Sequence, residues 1–401
     1  MKKTGRDEKI INNVPETLRM DRDRIRHLAR EEGYNLISIF MPTVRKGTET
    51  EQNWIRFKNL LREAEKQLKG RGRRDSEVND ILKPAYDLLK NRSFLEHQRE
   101  GLAVFMAPGS IKYYTLTESF NEKLSIGEKY FLKPLAPFCR EFVDYYLLAL
   151  SHNKTRLFRG NKYELRRIDT GDMIDNMDDF MKYEDPEKQL QFHTGTGKTS
   201  GRRHAMYHGH GAAGDDSERK EYLTRFFRII DKGISGIISG GDSPLILAGI
   251  DYLIPLYREA NSYSGLLDEV IDKNPDDMRP DELHRSSLDI IEGYYKRDLI
   301  SVVSKYNDLK GTGRASADIV QVVKGAYSNR VDTLLIDPDF EVYGEFNMDN
   351  TEVNVRGGEE GGGIDLTELS FRETVLHDGD VYIIDPESME DNERVAAIFR
   401  F

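Results

Sequence analysis

Cysteine is almost absent from this chain: Cys139 is the only one in 401 residues. No intrachain disulfide can form, which fits a reducing compartment. Long apolar runs are absent too. The longest, such as YYLLAL at 145–150, fall far short of the roughly 20 residues that cross a bilayer as a helix. The first residues, MKKTGRDEKIINN, are basic but have no apolar core, so they do not read as a signal peptide. These gaps predict a cytoplasmic protein with no membrane partner. An excess of positive charge is also missing. The formal net charge is -11, which argues against indiscriminate nucleic-acid binding driven by overall charge and leaves only local basic patches. Nor is there a G-x-S-x-G, HExxH or paired-cysteine motif, so no nucleophile or metalloprotease constellation stands out.

One phosphate motif is suggested and then fails. Residues 192–200 read FHTGTGKTS. A P-loop ending at Gly197-Lys198-Thr199 needs its first glycine at position 192, where Phe192 stands. The turn around the phosphates needs a residue without a side chain there. The flanks are wrong as well. The polar EDPEKQLQFH precedes the loop in place of a core strand, and SGRRHAMYHGHGAAGDDSE after it is too rich in glycine for a long helix. GTGRAS at 311–316 also resembles a phosphate turn but lacks the preceding strand; it reads as a helix entry capped by Ser316.

What is present describes a soluble globular protein, with 38% hydrophobic and 32% charged residues, long enough for two or three domains. The fold class expected is α/β in three domains. The first, residues 1–140, is a small variable α/β domain. It has a strand at 34–43, a helix with Trp54, Phe57, Leu60, Leu61, Ala64 and Leu68 at helical period, and a second helix that Pro84 should kink or divide. A hairpin follows around Pro108-Gly109. The second domain, 141–272, opens with three antiparallel strands turning at 152–154 and 160–162. It continues through an acidic stretch and a long glycine- and histidine-rich loop into an apolar helix from about Ser217, then the buried strand PLILAGI. That order predicts an RNase H-like layer. Residues 251–269, with Tyr252, Tyr257, Arg258, Glu259, Asn261 and Tyr263, suit a ligand cleft or a hinge, and the hinge is preferred. The proline-rich linker 272–282 sets the next boundary. The third domain, 273–401, is an α/β/α layer with a long first helix.

Chemistry concentrates in two places. Four of nine histidines, His193, His204, His208 and His210, fall in the glycine-rich loop. His204, His208 and His210 could be drawn as a metal site, but so much glycine gives poor preorganisation, and no metal is expected. The alternative is a backbone-rich tip that approaches a phosphate surface closely, with Lys198, Arg202 and Arg203 supplying charge. The second place is residues 52–74. Arg56, Lys58, Arg62, Lys66, Lys69, Arg71, Arg73 and Arg74 stand there against only Glu63 and Glu65. Lys69, Arg71, Arg73 and Arg74 at the helix end form a candidate phosphate-contacting patch.

The blocks DPEKQLQFHT, HGHGAAGDD, LILAGIDYLIPLYREANSYSGLLDE, GRASADI and VAAIFRF together resemble the bacterial relatives of the archaeo-eukaryotic class-one release factors and Pelota, more narrowly the third of those subfamilies. The resemblance runs from about residue 30 onward. It implies a variable first domain, an RNase H-like middle domain and a last domain resembling the kink-turn RNA-binding ribosomal protein fold; GAYSNRVDTLLI fits a helix–strand step of that fold. Release factors carry a Gly-Gly-Gln loop before a long helix, whose glutamine supports water attack on the peptidyl-tRNA ester. At the matching position here stands His208-Gly209-His210-Gly211-Ala212-Ala213-Gly214, without the glutamine. The NIKS-type codon-reading element is absent from the first domain. The resemblance therefore implies a ribosome-associated factor of rescue, recycling or hibernation, without intrinsic hydrolysis and without a cofactor. Its RNA-binding loop would comprise Lys198, Arg202, Arg203, His208, Gly209, His210, Gly211 and Gly214. Its partners would be ribosomal RNA, contacts of the tRNA site and a translational GTPase. Two alternatives stay open: a hydrolase of peptidyl-tRNA or RNA with His208 or His210 as general base, and a metal-dependent enzyme built on the same histidines.

Overall fold

The computed structural model describes residues 20–44, 50–139, 145–151, 154–162, 164–171, 173–177, 179–180, 215–238, 243–356 and 363–401. The chain is mixed α/β with several sheets. It divides into two compact units. Residues 1–141 and 302–401 make the first, and 142–301 make the second.

The first unit begins with α1 (Arg22–Ala29), capped by the Asp21 carboxylate, which accepts from the Arg24 N–H. Strand β1 (Glu32–Pro42) follows, then α2 (Glu51–Gly70), α3 (Asp75–Lys90) and the short α4 (Arg92–Glu96). Strands β2 (Gly101–Ala107), β3 (Ser110–Leu116) and β4 (Lys123–Lys129) complete a four-stranded sheet of order β3-β2-β1-β4. The apolar stripe of α2 packs Phe57, Leu61, Ala64 and Leu68 against Ile37, Ile39 and Met41 of β1, as its period requires. The hairpin is the expected one: Ala107 pairs Ser110 across Pro108-Gly109, and Gly109 sits at φ +70°, where glycine costs least. Pro84 does not divide α3, which runs unbroken through it. Proline has no N–H for the carbonyl four residues back, that of Asp80. The Gly109 N–H of the hairpin supplies one at 3.3 Å.

The later part of this unit holds β10 (Ala315–Ser316), α8 (Ile319–Tyr327), β11 (Val331–Ile336), β15 (Asp380–Ile383) and β16 (Val395–Phe399), in a sheet of order β10-β16-β11-β15. A three-stranded sheet of β12 (Tyr343–Asn347), β13 (Glu352–Val355) and β14 (Ile364–Asp365) leads into α9 (Leu366–Leu376). Helix α8 is capped by Asp318, whose carboxylate accepts from the Val320 N–H, and not by Ser316. Ser316 is held in β10 against Ala397, so it is two residues too early to cap.

Helix α9 joins the two chain segments of this unit. The Glu368 carboxylate accepts from the Leu132 N–H at 2.9 Å and the Lys133 N–H at 2.6 Å, and the Arg372 guanidinium lies 3.3 Å away. Arg372 also donates to the carbonyls of Ala29 and Tyr130. Lys133, fully buried, reaches Asp365 at 2.8 Å, Thr367 at 2.7 Å and the Phe340 carbonyl. Every charge in the cluster thus has a partner, as burial demands.

In the second unit, β5 (Tyr145–Leu150), β6 (Thr155–Gly160) and β7 (Leu165–Arg167) form the expected antiparallel meander. Strands β8 (Leu245–Gly249) and β9 (Leu266–Asp272) add in parallel, giving the order β7-β6-β5-β8-β9. Helices α5 (Asp215–Ile237) and α6 (Leu253–Ala260) cover one face. The first half of α7 (Pro280–Leu309) covers the other through Leu283 and Ile291. Gly160 is required where it stands, because a Cβ there would lie 2.2 Å from the Tyr145 ring. Among the described residues, no helix is long and apolar enough to cross a membrane.

Candidate nucleic-acid interface

Lys198, Arg202, Arg203, His204, His208, Gly209, His210, Gly211 and Gly214 lie outside the described residues. The structure does show what roots the segment that carries them. On its upstream side, Phe180 is fully buried with its ring 5.6 Å from that of Phe226. On its downstream side, α5 starts at Asp215 and packs Phe226, Phe227, Ile230 and Ile234 into the core. Asp231, buried on the same helix, accepts from the Ser262 hydroxyl at 2.5 Å, the Ser262 N–H at 3.1 Å and the Tyr257 hydroxyl at 3.3 Å. Burial, with the Asp231 carboxylate beside it, pushes the Tyr257 phenol up and keeps it a donor. Nothing in the charge pattern singled Asp231 out, since it follows Arg228 and Ile230 on what reads as an ordinary amphipathic helix.

The hinge expected at 251–269 is a set of ties within the second unit. Tyr263 donates to the Ser243 carbonyl at 2.6 Å, and Arg258 to the carbonyls of Leu267 and Asp268 at 3.0 and 2.7 Å. These side chains satisfy backbone acceptors around β8 and β9. At the carboxyl ends of those strands, a hydrogen bond shared with the Asp251 carboxylate raises the Asp272 carboxyl above its ordinary value. No group of three or more potential metal ligands occurs among the described residues.

The basic patch is more committed than its sequence suggested. Lys69 pairs with Glu65 at 2.9 Å and Asp75 at 3.1 Å, and the hydrogen bonds of these two carboxylates hold its ammonium above the ordinary lysine value. Arg56 pairs with Glu122 at 3.3 Å and Lys66 with Glu63 at 3.7 Å, while Lys58 lies over the Trp54 ring at 4.2 Å. Arg71 donates to the Ile126 carbonyl at 2.9 Å. The Arg74 backbone N–H is taken by the Glu77 carboxylate at 3.0 Å, which caps α3, while the Arg74 guanidinium pairs with no carboxylate among the described residues. Glu122 and Asp75 fall outside the window 52–74, which is why counting charge within it overstated the patch. Arg73 differs. Gly72, at φ +78°, ends α2 in a Schellman turn: the Arg73 N–H reaches the Leu68 carbonyl and the Gly72 N–H that of Lys69. The Arg73 Nε is enclosed with no hydrogen-bond partner.

A prediction separates these roles. Lys69→Ala is expected to leave the melting midpoint unchanged, because both its pairs are solvent-screened. It is also expected to leave the salt dependence of poly(U) binding unchanged. A drop of about 0.7 in the slope of log K against log salt would instead make Lys69 a phosphate ligand.

Residues 145–293 match the model of bacterial archaeo-eukaryotic release factor family 7, where the sequence resemblance had pointed to the third subfamily. No curated protein matches the chain. Solved structures that resemble it include the archaeal translation termination factor aRF1, at 13% identity over 95% of this chain and 99% of that one, with a TM-score of 0.23. Pelota from Archaeoglobus fulgidus is 14% identical over 75% of this chain and 79% of its own, with a TM-score of 0.29. Dom34 of S. cerevisiae, described as a translation termination-like factor interacting with Hbs1, is 11% identical over 78% and 81%, with a TM-score of 0.36. Likenesses this weak add nothing to the assignment, which rests on the matched sequence. That match spans β5 to β9 and the first half of α7, and it makes this part of the chain similar to the bacterial relatives of the archaeo-eukaryotic release factors.

Proposed function

We propose that this protein is a ribosome-associated factor acting in translation, in rescue, recycling or hibernation. The observation that carries the reading is the family match across 145–293, which encloses the glycine- and histidine-rich segment. In this reading the chain has three functional parts, 1–140, 141–272 and 273–401. The middle part is an RNase H-like layer, and the third takes the kink-turn RNA-binding role. Residues Lys198, Arg202, Arg203, His208, Gly209, His210, Gly211 and Gly214 contact ribosomal RNA near the tRNA site. A translational GTPase serves as partner. The stretch His208–Gly214 that matches the Gly-Gly-Gln loop has no glutamine, and in this reading peptidyl-tRNA ester hydrolysis is not part of the activity.

The expected result is co-sedimentation with bacterial ribosomes that falls steeply as salt rises, as phosphate contacts require, together with no release of peptide from peptidyl-tRNA. Loss of co-sedimentation even at low salt would defeat the reading. Ester turnover abolished by His210→Ala would favour a hydrolase with histidine as general base.

A further inference from the structure

A cleft in the first unit brings three features together. It has a volume of about 360 Å³ and is lined by Tyr34, Asn35, Arg73, Glu77, Asp80 and Pro108. That size is near the lower end of ligand clefts, about 300–1,000 Å³. The first feature is Tyr34, whose residue surface is 74% exposed. The β1–β4 ladder slips between Glu32 and Leu36, and Asn35 adopts left-handed backbone at φ +59°. Asparagine tolerates that conformation better than most residues. Bulges of this kind re-aim side chains; this one leaves an aromatic ring facing water at the rim.

The second feature is Arg73, placed by the Schellman turn, with its Nε enclosed and unpartnered. An enclosed donor without an acceptor costs free energy unless something supplies one. The third is Asp80. Its backbone carbonyl takes the Gly109 N–H, but its exposed carboxylate carries no protein partner among the described residues. Glu77 gives one carboxylate oxygen to the Arg74 N–H.

The cleft therefore offers a flat aromatic face, one guanidinium donor and one free carboxylate acceptor. We propose that it takes a single unpaired guanine base of RNA. Guanine presents acceptors O6 and N7, which arginine reads. Its N1–H and N2–H groups are paired donors that a carboxylate accepts side by side. Tyr34 stacks on the base, as aromatic side chains do with unpaired bases. Adenine and cytosine offer the carboxylate only an amino group, and uracil only one N–H. This assignment does not depend on ribosome binding.

The test uses the full chain without ribosomes. Fluorescence anisotropy is measured with labelled UUGUU, UUAUU, UUCUU and UUUUU, with guanosine monophosphate as competitor. UUGUU is expected to bind about tenfold more tightly than the other three, within the discrimination one bidentate contact gives. Tyr34→Ala should weaken UUGUU about tenfold by removing the stacking face, and Asp80→Asn should erase the preference for guanine. Both residues are exposed, so both variants should melt as wild type does. Arg73→Lys, which keeps the charge but not the fork, should weaken binding as well. Competition by the free nucleotide at the concentration of the oligonucleotide would uphold the guanine site and make a nucleotide, not RNA, its source. Equal binding of the four oligonucleotides, no binding, or an unaffected Tyr34→Ala would overturn the proposal.

Discussion

Replacing Glu368 with alanine is expected to remove about 3–5 kcal/mol from the stability of the first unit, the cost of breaking a buried charge pair by deleting one partner. The change strands the buried N–H groups of Leu132 and Lys133 and takes the Glu368 carboxylate from the Arg372 guanidinium, which keeps only the carbonyls of Ala29 and Tyr130. Against a total stability of about 5–15 kcal/mol for a typical protein, that is a large fraction, seen as a lower unfolding midpoint. Urea unfolding followed by circular dichroism checks this, and a shift no larger than that of an exposed carboxylate would refute it. Glu368→Gln should fall between, since its carbonyl can still accept while its amide faces donors.

The same cluster predicts a pH dependence. Burial pushes the Glu368 carboxyl up to about 7 from 4.5, against the pull of Arg372 and the two backbone N–H donors. The folded state therefore holds this proton more tightly than the unfolded chain does. The stability it contributes is complete below about pH 4.5 and is lost as the pH rises through about 7. The melting midpoint of wild type should carry that decline, and Glu368→Gln should lack it.

The second large effect is expected from Phe180→Ala. Phe180 is fully buried against Phe226, and truncation of a buried phenylalanine costs about 3–5 kcal/mol. The functional consequence follows from its place in the chain. Phe180 is the last described residue before the segment that carries His208, Gly209 and His210, and its ring roots that segment in the core. At a temperature where the variant remains folded, ribosome affinity should fall although no loop residue has changed. Wild-type affinity in a folded Phe180→Ala protein would show that the root does not serve the loop.

Elements with one apolar face were legible in the sequence. The stripe of α2, the continuous apolar run of β8 and the hairpin of β2 and β3 all fall where period and turn residues placed them. Helix α9 was not legible. LTELSFRETVL reads as a solvated segment, yet Leu366 to Val375 are all buried. Its Thr367, Glu368, Ser370, Arg372 and Thr374 are matched by partners hundreds of residues away or by backbone carbonyls, and no local period encodes that. Strand β4 was hidden for a related reason: in KLSIGEK only Ile126 is buried, so its place beside β1 depends on backbone pairing more than on its own apolar face. Of the site, charge counting found Arg73 but grouped it with Lys69 and Arg71, which local carboxylates and a carbonyl already occupy. Tyr34 passed as an ordinary strand residue because the bulge that turns it outward is set by the β1–β4 ladder.

The most direct measurement compares wild type with a Gly209/His210/Gly211-to-alanine variant in co-sedimentation with bacterial ribosomes at low salt. Binding by wild type and marked weakening in the variant, with both proteins melting alike, is the predicted result. Equal binding by the two would contradict a contact through the glycine- and histidine-rich loop, and no binding by either would remove the ribosome from the function of this protein.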